Sequence, residues 1–97
     1  MSLEELLRGR VIRRIRPDNR LALNAVRRSK RDIDTARTLI ANGKFDWALA
    51  VSYNAMLGAG RAYMFKMGFR PSSRGGHVAV VRFLQAHLRL KQVTGWC

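Results

Sequence analysis

The residues best suited to chemistry sit close together in one stretch. From Phe69 to His77 the chain reads FRPSSRGGH. His77 follows two glycines at an expected helix start. An imidazole there can move protons, or contact a phosphate with the positive end of a helix behind it. It can equally be an exposed or capping group. Arg70 and Arg74 flank Gly75 and Gly76, and together these could cradle a phosphate. The alternative is a flexible basic loop. Arg61 is the only charge in the heart of an otherwise apolar helix. It needs an acid, Asp32 or Asp34, or an outlet into a dimer cleft. His87 falls near the apolar edge of the last helix and reads as structural. Tyr53 and Asn54 lie mid-helix in surroundings expected to be buried, so their polar atoms need partners on a neighbouring helix. No zinc-ligand cluster, Walker loop, RNP-type strand or dinucleotide fingerprint occurs. No metal or cofactor is therefore expected.

These residues depend on helices for their placement. The segment Phe45 to Gly68 reads as one long helix with no charge from Trp47 to Gly60. Ala48, Ser52, Ala55, Ala59 and Ala62 repeat at fours and threes and form a small-residue face. Leu49, Tyr53, Met56, Tyr63 and Met67 form a large seam, and Val51, Leu57 and Met64 a third. Such a helix should be buried on several sides, with Phe45 and Trp47 as core or dimer contacts. Its uncharged run, about fourteen residues, is short of the roughly 20 a membrane span needs.

A second helix should start at Asp18 or Asn19 and run to about Ala41. Its seam, Ala22, Val26, Ser29, Ile33, Ala36 and Ile40, suits the alanine face of the central helix. Its outer face carries Arg27, Arg28, Lys30, Arg31 and Arg37, answered by Asp32 and Asp34. Asn42-Gly43 stops it, and the short link makes the two helices antiparallel neighbours. A short first helix, capped by Ser2, is expected to place Leu3, Leu6, Leu7, Ile12 and Ile15 on one side until Pro17 breaks it. A last helix from about Gly76 to Lys91 should bury Val80, Val81, Leu84 and Leu88, with Phe83 beside them. No strand pattern of useful length appears. The expected fold is an all-α antiparallel bundle: one domain over 1–97, with a short N-terminal helix and three longer ones.

Charge dominates the composition. Nineteen Lys and Arg oppose six Asp and Glu, a formal net charge of +13. All but Lys30, Lys44, Lys66 and Lys91 are arginine, whose fork matches phosphate. A polyanion partner, RNA or DNA, is one reading; solvated helix faces are the other. A single cysteine, Cys97, allows no internal disulfide, which fits a reducing cytoplasm. No signal peptide is read at the N-terminus, where Glu4 and Glu5 interrupt any apolar segment.

With these elements placed, the chain resembles the HEPN domain, the nucleotide-binding family of higher eukaryotes and prokaryotes. The matching pieces are Asp32-Ile33-Asp34-Thr35-Ala36-Arg37, then Leu39-Ile40, then Asn42-Gly43-Lys44-Phe45-Asp46-Trp47-Ala48. Ser52-Tyr53-Asn54-Ala55-Met56, Gly60-Arg61-Ala62 and Gly68-Phe69-Arg70-Pro71-Ser72-Ser73 follow in order. The resemblance covers roughly residues 30–84. It implies a helical bundle that forms a homodimer. It also implies a toxin–antitoxin or defence setting, with a minimal nucleotidyltransferase as possible partner, and action on or binding to RNA or nucleotide. Many family members are metal-independent ribonucleases with an Arg-x(4–6)-His motif. In that chemistry His moves protons for the ribose 2′-hydroxyl and Arg steadies the phosphate. The family normally carries the motif at the start of a later helix, and nothing from His87 to Cys97 has that spacing. The chain is thus expected to be either a copy shortened relative to the family, without its catalytic helix, or a member that binds and does not cut. One spacing match occurs elsewhere, Arg70 followed after six residues by His77. The resemblance therefore offers Arg70 and His77 as the catalytic candidates. Its alternative is a non-catalytic module that binds a nucleotidyltransferase partner.

Overall fold

The computed structural model describes residues 2–72 and 76–95, with side chains as far as Leu88. In chain order the elements are α1 (Leu3–Arg8), β1 (Ile12–Arg14), α2 (Asn19–Ala41), α3 (Phe45–Met67), β2 (Phe69–Pro71) and α4 (Gly76–Gly95). The expected all-α architecture holds, with a two-stranded ribbon added.

The caps explain the boundaries. Ser2 and Glu5 form a reciprocal capping box: the Glu5 N–H donates to Ser2 Oγ at 3.2 Å and the Ser2 N–H to Glu5 Oε1 at 3.3 Å. These hydrogen bonds hold the Glu5 carboxyl below its usual range. The Leu21 N–H donates to Asp18 Oδ1 at 2.9 Å and starts α2. At its other end the Gly43 N–H reaches Ile40 O and the Lys44 N–H reaches Leu39 O. That is a Schellman ending, with Gly43 at φ 71° in the left-handed position. The same pattern ends α1, where Arg10 donates to Leu7 O and Val11 to Leu6 O. There the left-handed residue is Arg10, at φ 58°.

This early stop corrects the expected course of the first helix. Ile12 and Ile15 do not continue its apolar side. Ile12 begins β1 and is buried, because the chain turns back and pairs antiparallel with β2 in the register Ile12↔Pro71, Arg13↔Arg70, Arg14↔Phe69. The stretch Phe69–Pro71, expected as loop, is the second strand. A three-residue strand has no room for an alternating pattern, so its pairing is invisible locally.

The helix α2 packs antiparallel to α3. Ala22, Ser29 and Ala36 meet Ala48, Ala55 and Ala62, each set repeating at seven, and all but half-buried Ala22 are buried. Ser29 Oγ donates to Ala55 O at 2.9 Å across this seam. A Cβ added at Gly58 would overlap Ser29 Oγ, so the seam needs a glycine there. At Gly60 an added Cβ would come within 2.7 Å of Val80 Cγ1, which fixes the close approach of α4. The core then gathers around the C-terminal half of α3: Leu57 and Met64 with Leu6, Ile12, Phe69, Val80 and Phe83. Of the inner stripe expected on α4, Val80 and Phe83 are fully buried and Val81 and Leu84 partly so, while Leu88 is exposed.

The two long helices are less covered than their apolar patterns suggest. Val26, Ile33 and Ile40 of the α2 seam are exposed, each four residues beyond a seam position and so rotated off it. Leu49, Tyr53, Met56 and Met67 of the large seam on α3 are exposed too, Leu49 to 73%. Phe45 and Trp47 are no core residues of this chain, being 65% and 68% exposed. For the first turns of α3 the reason is coverage: α4 packs on the later turns and leaves the first ones with one neighbour, α2. Among the described residues no helix is long and apolar enough to cross a membrane.

Candidate functional site

One flank of the α2–α3 seam opens into a cleft of about 340 Å³ that is closed at one end by the start of α4. Its volume is at the small end of ligand pockets, roughly 300–1,000 Å³. Two stripes with the same spacing build it. From α2 come Leu21, Ala25, Arg28 and Asp32; from α3 come Asn54, Gly58, Arg61 and Phe65. Each stripe advances by four, three and four, the repeat that keeps residues on one helical face. Asn24 and Ser29 widen the α2 side, and His77 comes from the first turn of α4. Leu21, Ala25, Gly58 and Phe65 give the cleft its apolar lining. The walls carry Arg28, Arg61 and His77 against one carboxylate, Asp32, with Asn24 and Asn54 as amide donors and acceptors. No ion pair joins Arg61 to Asp32 or Asp34 among the described residues.

The basic surface continues past the rim. Asn24, Arg27, Arg28, Lys30 and Arg31 surround a shallow recess on the outer face of α2. Arg28 belongs to both, so cleft and recess form one positive surface. Charge of this density and sign favours an anionic ligand. Among the described residues no group of three His, Cys, Asp or Glu is placed to hold a metal ion.

The candidates from the sequence fall into separate places. Arg61 and His77 both line the cleft. Gly76 is the first residue of α4, at φ 49°. Arg70 is elsewhere: it is exposed on β2, opposite Arg13, and is not among the residues lining the cleft. Arg74 and Gly75 lie outside the described residues. Asn54 is exposed and faces the cleft, not a buried neighbour, and Tyr53 is 47% exposed. His87 is structural as expected: it shares a 2.6 Å hydrogen bond with Tyr63 Oη and stacks on Phe83 at 5.6 Å. Sequence reasoning puts Arg28 on the outer face and passes over Asn24. The signal that could have found the α2 wall is the matched four-three-four spacing on the two helices.

The HEPN domain family model matches residues 22–94. The chain belongs to the HEPN family. The match begins inside α2 and ends inside α4, so it contains every residue that lines the cleft except Leu21. The helix α1 and strand β1 precede it. No curated protein and no solved structure matches the chain.

Proposed function

We propose that this HEPN protein binds RNA or nucleotide in the α2–α3–α4 cleft, acting in the cytoplasm as a homodimer of the toxin–antitoxin or defence type. The observation that carries this is the convergence of Arg28, Arg61 and His77 in one cleft with a single carboxylate. Two guanidinium forks can each grip a phosphate oxygen pair, and Asn24 and Asn54 can hydrogen-bond a base edge. Fluorescence anisotropy with a labelled single-stranded RNA tests it. Affinity should fall steeply with added salt, and Arg61→Gln should weaken binding at least tenfold with the fold intact. Binding that Arg61→Gln leaves unchanged sinks the cleft as the site.

Cleavage is a finer step of the same reading and has its own test. His77 would move the proton of the 2′-hydroxyl, with Arg61 beside it in the cleft or Arg70 from β2 steadying the phosphate. A mixed RNA pool is incubated without metal beside His77→Ala, Arg61→Gln and Arg70→Gln. Cutting lost in His77→Ala makes the cleft a ribonuclease site, and the arginine variants name its partner. Uncut RNA in every lane makes the protein a binder.

The second reading rests on the opposite flank. Val26, Ile33 and Ile40 of α2 and Leu49 and Met56 of α3 are exposed large apolar residues. A monomer seldom leaves so much aliphatic surface on one side. A second copy of the chain covers it in our proposal, and a minimal nucleotidyltransferase partner is the alternative. Light scattering on a sizing column decides between them: a dimer that Met56→Asp converts to monomer supports self-association, and a wild-type monomer leaves the flank to a different protein.

A further inference from the structure

The ribbon joins the ends of α2 and α3 that bring Leu21 and Phe65 to the cleft, and it holds an arrangement that the fold itself does not use. Residues directly opposite each other on antiparallel strands project side by side from the same face. In β1–β2 that pair is Arg13↔Arg70, and both are exposed. Their strand neighbours point the other way into the core, where Ile12 and Phe69 are buried. Arg14 has a structural use, its guanidinium lying over the Phe69 ring at 5.3 Å from the centroid. Arg13 and Arg70 have none: among the described residues neither side chain makes a hydrogen bond, ion pair or ring contact. Like charges directly opposite weaken a strand pair, and this one is only three residues long. Arg10, just before the strand, keeps a left-handed backbone at φ 58°, where glycine would be unstrained. So one end of the molecule carries two unfavourable features, each retaining an exposed arginine.

We propose that the Arg13–Arg70 face of the ribbon is a second anion site, which grips the phosphodiester backbone of an RNA strand whose nucleotide occupies the cleft. Two forks side by side can neutralise adjacent non-bridging oxygens, which turns their mutual repulsion into attraction for the shared anion. The inference rests on the RNA reading of the cleft. It goes further by giving the strand a second point of attachment, built from β1, before the helices that make the cleft, together with β2.

The experiment is an anisotropy salt titration of a labelled single-stranded RNA 12-mer. It compares wild type, Arg13→Gln/Arg70→Gln and Arg61→Gln, with thermal melts of each protein alone. The double variant should bind at least fivefold more weakly. The slope of log affinity against log salt should become shallower by about 0.7 for each phosphate that is no longer neutralised. Without RNA the double variant should melt at the same temperature as wild type or higher, because a like-charge pair has been removed. A purely structural role predicts the opposite shift. Unchanged affinity and slope in the double variant, with Arg61→Gln impaired, overturn the ribbon site and leave the cleft standing. Absence of RNA binding in wild type overturns both.

Discussion

The two flanks of the α2–α3 hairpin are built from neighbouring positions on the same helices, yet they have opposite chemistry. Three residues beyond the α2 seam positions lie Ala25 and Asp32, and three beyond those of α3 lie Gly58 and Phe65; all four line the basic cleft. Four residues beyond the α2 seam lie Val26, Ile33 and Ile40, all exposed. Because the helices are antiparallel, the same offset falls on the same side of both. One residue of offset therefore separates a basic cleft from an apolar flank. The small-residue seam is what permits both: it brings the backbones close, so that side chains on either side converge on a shared surface.

The comparison can be broken at its root. Gly58→Val should be the most damaging single change, because its side chain would displace Ser29 and wedge the helices apart. We expect a loss of about 3 kcal/mol or more, read by chemical denaturation, with cleft and flank failing together. If stability hardly changes, the close seam is not what organises the two faces.

Separating the flanks comes next. Arg61→Gln should cost at least tenfold in RNA affinity, about 1.4 kcal/mol, and leave self-association alone. Met56→Asp should abolish the proposed dimer and leave the melting of the monomer nearly unchanged, since Met56 is 57% exposed. A Met56→Asp protein that unfolds would show that the dimer is needed for folding.

Ser29→Ala sharpens the picture of the seam. It removes the buried hydrogen bond to Ala55 O, worth about 1 kcal/mol, without adding volume. The flanks should keep their shape and RNA binding should persist.

The smallest effect belongs to α1. Its capping box holds the Glu5 carboxyl below the ordinary range, chiefly through hydrogen bonds with Ser2. A depressed folded value stabilises the protein above the unfolded value, and the contribution is lost as pH falls through the folded one. Glu5→Gln should therefore flatten the acid limb of the stability profile slightly, with melting at neutral pH hardly changed. It should touch neither flank.

The long helices α2 and α3 are legible in the sequence because their signals are local, whereas the early stop of α1 at Arg8 is not. Asp18 as cap, Asn42-Gly43 as stop and Gly68 as the left-handed end of α3 each act within one turn of the residues they terminate. The short link after Asn42-Gly43 also announces the antiparallel hairpin, and the motifs from Asp32 to Ser73 carry the HEPN resemblance on their own. Arg61 and His77 stand out as candidates because a charge in an apolar helix and an imidazole after two glycines are locally conspicuous.

What only the tertiary structure decided depends on the meeting of distant parts of the chain. The ribbon exists because residues 12–14 and 69–71 come together, and neither triplet carries a strand signal alone. Its pairing takes Arg70 away from the cleft and sets it beside Arg13. The cleft takes Arg28 and Asn54 as partners for Arg61 and His77 because of the rotation of two helices about a seam. Periodicity identifies a helical face, but not which face a neighbour covers. That choice leaves Leu49 and Met56 in solvent while Leu57 and Met64, on the same helix, are buried. Sequence determines where helices start and stop, because those energies are short-ranged. Packing determines which of their faces become a core, a cleft or an open flank, because burial is a property of the whole chain.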